Sequence, residues 1–239
     1  MMPMARREQD LGSRGHIAQV EDECDVIVAN TPELITECLR LRYQVYCLEK
    51  GYEPGINGLE TDVFDENARH VLLIHRASGE ALGTVRVIAP SNTNGLNSLP
   101  MTAHCAPGLL SSLPPLTTGE ISRFAISKRR RMTCGAGTLI RHGLMQGILR
   151  VSRELGLTHW CAVMEPMLLR LQKRSAIYFE ELGPLIEYHG TRQPSFGHIE
   201  KVLSGIKFGQ WDVWNYVTLG GTLCSENRRA PETARLERV

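Results

Sequence analysis

The second half of the chain alternates strand-like and helix-like segments, and this alternation restricts the fold more than any other feature. Residues 120–127 have the pattern of a strand, and the segment after them carries apolar residues three or four positions apart: Ile140, Leu144, Ile148, Val151 and Leu155. We expect a buried strand at 158–164, a helix at 166–183 and a strand at 184–190 to follow. The order strand, helix, strand, helix, strand predicts an α/β layered sheet.

The first half adds a helix and a hairpin to this plan. Thr31 suits a helix N-cap, Pro32 suits the first helical position, and Gly51 suits the stop. The predicted hairpin comprises residues 70–76 and 82–89, and the segment 91–116 is predicted to be a loop with one short helix.

The domain organisation follows from the ends of the chain and from the lack of internal linkers. We expect a flexible N-terminal arm at 1–22, a single domain at 23–223, a helix or two near 200–221 within that domain, and a flexible C-terminal tail at 224–239.

Composition narrows the class of protein. A formal net charge of +1 over 239 residues argues against a dedicated nucleic-acid binder. No apolar run approaches the roughly 20 residues that span a bilayer, so no transmembrane segment is expected. Seven cysteines are scattered without a Cys-x-x-Cys pair, which disfavours disulfides and a metal site and favours a cytoplasmic location.

The segment GEISRFAISKRRRMTCGAG, residues 119–137, joins the strand to the long helix. A glycine-rich turn at a helix N-terminus offers unpaired N–H groups and a favourable dipole to a phosphate. The lysine-serine pair of a Walker loop is missing, which leaves the pyrophosphate of coenzyme A or the phosphopantetheine of a carrier protein. The alternative is a solvated basic loop. The candidate donor-binding residues are Lys128, Arg129, Arg130, Arg131, Gly135 and Gly137.

Four stretches together resemble a known family: LRLRYQVYCLEKGY, LETDVFD, GTVRVIAP and GEISRFAIS. In this order they are similar to the LuxI-type acyl-homoserine lactone synthases and their relatives, the N-acyl amino acid synthases. The similarity extends over roughly residues 34–130. The positions that match the family pattern are Arg42, Tyr46, Tyr52, Asp62, Asp65, Arg86, Glu120, Ser122 and Arg123.

The resemblance implies a GNAT-like acyl-CoA N-acyltransferase fold, with a mixed central sheet flanked by helices. It also implies acyl transfer from an acyl carrier protein or acyl-CoA thioester to an amine, with no tightly bound cofactor and no metal. Tyr46 and Tyr52 stand where the lactone synthases usually have Phe and Trp, which favours an amino acid acceptor over S-adenosylmethionine. The stretch IEYHGTRQP, residues 186–194, resembles acyltransferases associated with PEP-CTERM/exosortase gene sets.

The resemblance also suggests roles. Glu120 suits a general base that deprotonates the acceptor amine, provided that burial raises its pKa or a water shares the work. Arg86 and Arg42 are candidates to hold an acceptor carboxylate. Asp62 and Asp65 are candidates to pair with those arginines or to bind the acceptor ammonium group. Ser122 and Arg123 complete the predicted catalytic strand.

Several alternatives stay open at this point. Glu120 and Arg123 are three residues apart, so an unbroken strand puts them on opposite faces, whereas a bulge re-aims one of them. Arg42 and Asp65 alternatively form a structural ion pair, and the tyrosines alternatively form cleft walls. His70, His142 and His189 lack metal-ligand spacing and are expected to be structural. The functional alternatives are an acyl-homoserine lactone synthase and a catalytically silent GNAT-like binding or sensor module.

Overall fold

The structure, a computed structural model, describes residues 23–52, 54–128 and 137–224. The predicted arm at 1–22 and all of the predicted tail except Cys224 lie outside these ranges. Within them, no helix is long and apolar enough to cross a membrane.

An antiparallel half of the sheet comes first. It consists of β1 (Cys24–Ala29), β2 (Ala68–His75), β3 (Ala81–Ile88) and β4 (Thr118–Ile126), each paired with the next. The predicted hairpin is confirmed as β2 and β3. Strand β1 was not predicted, because it is a six-residue edge strand whose side chains are only partly buried.

The second half of the sheet departs further from the expectation. Strand β5 (His159–Met164) was predicted, and β4 pairs with it in parallel. Its other neighbour is β8 (Thr191–His198), which also pairs with the two-residue strands β6 (Glu180–Glu181) and β7 (Ile186–Glu187). The sheet is therefore mixed, in the order β1-β2-β3-β4-β5-β8-β6.

The predicted strand at 184–190 was wrong in extent, because the main strand of that region is β8. Pro194 lies inside β8, and a proline lowers the strand signal of a sequence since it has no N–H for the ladder. The predicted helix at 166–183 also ends early, at Arg174. Ala176 then turns the chain with a φ of 56°, and Phe179 enters the core.

Helix α1 (Pro32–Arg42) begins as predicted, since the Thr31 hydroxyl accepts the N–H of Leu34 at 3.3 Å. It continues as a π-helix over Tyr43–Glu49. The wider π turn shifts the helical register, which accounts for the 59% exposure of Leu48, although regular helical spacing would place it on the same face as the buried residues Leu41 and Val45.

The remaining helices pack on the sheet or on one another. They are α2 (Gly137–Glu154), α3 (Pro166–Arg174), α4 (Ile199–Gly209) and α5 (Trp211–Thr218). The predicted stripe of α2 is confirmed, since Ile140, Leu144, Ile148 and Val151 are buried in the main core. Gly147 lets α2 lie close to β2, because a Cβ there would come within 2.2 Å of the Val71 side chain.

Candidate active site

Strand β4 contains a β-bulge at its centre. Arg86 of β3 pairs with Ser122 and Thr84 pairs with Ala125, so three steps along β4 face two steps along β3. Arg123 has a φ of 52°, which marks the left-handed residue of the bulge. An unbroken strand would put Glu120 and Arg123 on opposite faces of the sheet. With the bulge, both residues line one cavity.

That cavity lies where β4 and β5 separate. The two strands pair only from Thr118 to Glu120 on β4, against His159 to Cys161 on β5, and then diverge. The space between them has a volume of about 440 Å³, within the usual range for a small-molecule site. One part of its wall is apolar and comes from α2, β5, α3 and the segment after α3: Met145, Ile148, Met164, Leu168 and Phe179.

Glu120 is the buried acid of this cavity. Glu120 is only 3% exposed, and its Oε2 accepts a hydrogen bond from the N–H of Met101 at 2.8 Å. Met101 belongs to a short 3₁₀ helix (Pro100–Ala103), whose first N–H groups have no partner within the helix. Burial raises the pKa of Glu120 to about 7 despite this hydrogen bond. A carboxyl with such a pKa accepts and releases a proton near neutral pH, as a general base must.

Beside Glu120 lies a network of three arginines and three carboxylates, which we call the arginine network: Arg42, Arg86, Arg123, Glu60, Asp62 and Asp65. All three guanidinium nitrogens of Arg42 are engaged. Nε donates to Glu60 at 2.5 Å, and Nη1 and Nη2 donate to Asp65 at 2.6 and 3.1 Å. Arg42 is fully buried.

Arg86 is equally saturated. Nη1 lies 2.6 Å from an oxygen of Asp62 and 2.6 Å from an oxygen of Asp65, Nη2 donates to Asp62 at 3.0 Å, and Nε donates to the Ser122 hydroxyl at 3.1 Å. A substrate carboxylate would have to displace buried ion pairs to reach Arg86 or Arg42. The geometry therefore argues against the predicted carboxylate grip of these two arginines and favours the structural alternative. Ser122 supports Arg86 from the cavity side.

Arg123 closes the arginine network from the bulge. Its Nε donates to Glu60 at 3.0 Å, and Nη2 donates to Asp62 at 3.0 Å. Glu60 thus contacts two arginines and is 2% exposed, yet the sequence analysis did not single it out. The available signal was its position inside the stretch LETDVFD, two residues before Asp62.

The electrostatics of the arginine network keep its acids ionised. Burial alone would raise the pKa values of Glu60, Asp62 and Asp65, but the arginine hydrogen bonds and charges outweigh it, so each pKa lies below its usual value. His70 packs nearby with Nε2 3.7 Å from Asp65. Burial and the charge of Arg42 lower the pKa of His70 to about 4, so this imidazole is neutral at physiological pH.

Tyr46 supports the bulge from the π-helix. Its hydroxyl donates to the carbonyl oxygen of Phe124 at 3.2 Å, and the Arg123 guanidinium lies 5.5 Å from its ring centroid. Burial raises the pKa of Tyr46 to about 12, so the phenol keeps its proton. This fits the interpretation of Tyr46 as a cleft wall.

A second charged group lines the same cavity, and we call it the Arg192 cluster: Lys50, Tyr52, Glu165 and Arg192. Tyr52 was predicted to lie at the site, but the other three were missed. His189, expected to be structural, stacks on Tyr52 at 4.8 Å between ring centroids, and Tyr188 stacks on His104 at 3.7 Å. All four rings line the cavity. The signal was the stretch IEYHGTRQP, which carries Tyr188, His189 and Arg192.

Only part of the predicted donor-phosphate site lies within the described residues. Arg129, Arg130, Arg131 and Gly135 lie outside the described residues, and Gly137 begins α2. Lys128 is exposed and lines the cavity, and its backbone N–H donates to Glu49 at 3.0 Å. The phosphate-binding role of this segment stays a prediction.

Comparison with known proteins supports what the geometry indicates. Residues 41–141 match the acetyltransferase (GNAT) domain family, and solved structures of acyltransferases superpose on most of the chain. The chain has the GNAT fold of these acyltransferases. The predicted fold and the predicted resemblance are thereby confirmed.

Three proteins illustrate the likeness. The acyl-homoserine-lactone synthase of Vibrio anguillarum is 25% identical over 146 residues, which cover 61% of this chain and 74% of the relative. FeeM, an N-acyl amino acid synthase from uncultured soil microbes, superposes with a TM-score of 0.60 at 15% identity and covers 79% of this chain and 98% of its own. The lactone synthase LasI gives 0.57 at 20% identity, over 72% of this chain and 88% of its own.

Proposed function

We propose that this protein transfers an acyl chain from a pantetheine thioester to the α-amine of an amino acid. The observation that carries the proposal is Glu120, a buried carboxyl with a pKa raised to about 7 at the wall of an apolar cavity. Such a group suits amide formation, which needs an amine that has lost its proton.

The proposed reaction is a direct transfer from the thioester to the amine. The acceptor ammonium gives one proton to solvent and becomes a nucleophilic amine. Its nitrogen attacks the thioester carbonyl carbon while Glu120, directly or through a water, takes the second proton. The carbon–sulfur bond then breaks, and the leaving thiolate takes up the proton that Glu120 holds. Backbone N–H groups of β4, beyond the point where it leaves β5, are the candidate donors to the oxyanion.

The apolar part of the cavity wall is the proposed site of the acyl chain. Met145, Ile148 and Phe179 offer hydrocarbon and aromatic surface without a charge, and burial of each methylene there contributes about 0.8 kcal/mol. A polar acceptor alone would gain little binding free energy from such a surface.

The donor is proposed to be an acyl carrier protein thioester, with acyl-CoA as a substitute. One superposed structure is that of a CoA-dependent acyl-homoserine lactone synthase, BjaI, with S-adenosylmethionine and isopentyl-CoA, at a TM-score of 0.60 and 18% identity. The carrier protein as partner, the role of residues 128–131, the PEP-CTERM/exosortase association and a cytoplasmic location stay predictions from the sequence.

Acyl-homoserine lactone synthesis is the second candidate, because the Vibrio relative and several superposed structures are lactone synthases. Tyr46 and Tyr52, in place of the Phe and Trp usual in lactone synthases, favour the amino acid acceptor. A silent binding module is disfavoured, because the matched charged residues are all present and in order.

The test is thiol release from acyl carrier protein and acyl-CoA thioesters, each offered with single amino acids or with S-adenosylmethionine, and the products weighed by mass spectrometry. We expect an N-acyl amino acid. A lactone as the main product would transfer the protein to the second candidate function. No acylated product from any pair, in folded protein, would support the silent module.

A further inference from the structure

Arg192 differs from the arginines of the arginine network in how loosely it is held. Nη1 donates to the carbonyl oxygen of Thr191 at 3.0 Å, and Nη2 lies 3.5 Å from both the Tyr52 hydroxyl and a carboxylate oxygen of Glu165. Among the described residues, Nε makes no hydrogen bond. The Arg192 side chain is nevertheless only 11% exposed. Its guanidinium group is therefore confined at the cavity wall although its hydrogen bonds and ion pair there are long or few.

The charge balance of the Arg192 cluster also differs from that of the arginine network. Lys50 Nζ lies 2.5 Å from the same Glu165 oxygen that Arg192 approaches. Two cations thus share one carboxylate, and these three groups carry a net charge of +1. The three arginines of the arginine network are instead balanced by three carboxylates. Of the two groups, only the Arg192 cluster has positive charge left for an anionic ligand.

We infer that Arg192, assisted by Lys50, binds the carboxylate of the acceptor amino acid. This deepens the proposed function and rests on it, and it moves the carboxylate site away from Arg86 and Arg42. A guanidinium fork matches a carboxylate with two parallel hydrogen bonds, and the free Nε and loosely held Nη2 form such a fork. The acceptor amine then points along the cavity that Glu120 also lines.

A phosphate of the donor has the same anionic chemistry, but the surroundings favour the acceptor. Both cations lie near the Tyr52 ring, at 5.2 Å for Lys50 and 5.9 Å for Arg192. His189 stacks on that ring, and Tyr188 adjoins His189 at 4.4 Å between centroids. Flat rings around the cations suit the carbon side chain that an amino acid carries on the atom next to its carboxylate, whereas the phosphorus of a donor phosphate is bonded to oxygen on every side.

The kinetic test compares leucine with isopentylamine, which is leucine without its carboxylate. A charge-assisted hydrogen-bond pair predicts that the wild-type protein prefers leucine by about 10- to 100-fold in kcat/KM. Arg192→Gln is expected to raise the KM for leucine and bring this ratio close to one, while the KM of the acyl donor stays unchanged. Arg192→Lys is expected to restore part of the preference. Arg170→Gln, an exposed arginine of α3, serves as the matched control.

Two results would overturn the inference: an unchanged leucine-to-amine ratio in folded Arg192→Gln protein, or a rise confined to the KM of the donor, which would assign Arg192 to a donor phosphate. Calorimetric binding of N-decanoyl-leucine and N-isopentyl decanamide gives a readout without turnover. If the protein makes no N-acyl amino acid, the proposed function fails. The carboxylate site still stands if N-decanoyl-leucine binds more tightly than the amide and Arg192→Gln removes the difference, and it falls if the two bind equally.

Discussion

Two kinds of buried carboxyl lie side by side in this protein, and their environments separate their roles. Glu60 is 2% exposed and accepts hydrogen bonds from Arg42 and Arg123, and its pKa is lowered. Glu120 accepts one backbone N–H, and burial raises its pKa. The arginine network is therefore permanently charged scaffolding, whereas Glu120 is the acid that titrates. The comparison shows that the partner of a buried carboxyl, more than its depth, sets its function.

The largest expected effect comes from removing the titrating carboxyl. Glu120→Gln keeps the shape of the side chain but cannot accept a proton, so we expect kcat to fall by about 100- to 10,000-fold. Thiol release under saturating donor and acceptor measures it. Glu181→Gln, an exposed residue of β6, is the matched control and is expected to leave kcat unchanged. Near-normal turnover in folded Glu120→Gln protein would remove the distinction between the two kinds of carboxyl.

The next effect concerns the scaffolding. Arg42→Met leaves Glu60 and Asp65 with fewer cations, and breaking a buried ion pair costs about 3–5 kcal/mol of unfolding free energy. Arg76→Met, which removes an exposed pair with Asp25, is expected to cost no more than about 1 kcal/mol. Urea unfolding of both variants makes the measurement. Similar losses in the two would mean that the arginine network is no more structural than a surface pair.

The pH dependence of the unfolding free energy tests the raised pKa of Glu120, which distinguishes this carboxyl from those of the arginine network. The pKa of Glu120 is about 7 in the folded protein and near 4.5 when unfolded, so the folded state holds the proton more tightly. Its contribution to stability is full below pH 4.5 and is lost as the pH rises through 7. We expect Glu120→Gln to gain stability relative to wild type over that window, as measured by urea unfolding at a series of pH values. A parallel pair of curves would contradict the raised pKa.

The smallest effect tests the support of the bulge. Tyr46→Phe removes the hydrogen bond to the Phe124 carbonyl oxygen, which is worth about 0.5–1.5 kcal/mol of unfolding free energy. Because the phenol keeps its proton, we expect kcat to change only a few-fold. Thermal unfolding and thiol release together measure the two quantities. A loss of kcat as large as that of Glu120→Gln would give Tyr46 a catalytic role.

Local patterns predicted much of the scaffold, including the hairpin, the stripe of α2 and the strand that carries Glu120. They failed where tertiary contacts decide. The bulge depends on a left-handed Arg123 held by Glu60 and Asp62, a conformation that no local pattern of this residue type signals.

The sequence predicted which residues form much of the candidate site, but it did not predict which of them are structural and which are available to a substrate. Arg86 and Arg42 have the residue type that binds a substrate carboxylate, and only their distances to Asp62, Asp65 and Glu60 show that they are occupied. Arg192 lies far from them in sequence, and its contact with Tyr52 joins residues 140 positions apart. Whether the hydrogen-bond donors of an arginine are already occupied depends on the tertiary structure.

The most direct test of the central claim is the pH dependence of kcat/KM in the wild-type protein and in Glu120→Gln. If Glu120 is the general base, the wild-type rate rises with pH through an inflection near 7, set by the free-enzyme carboxyl. The residual rate of the variant then lacks that inflection and follows only the acceptor amine. An inflection near 7 that persists in Glu120→Gln would contradict the account, since another group would be taking the proton.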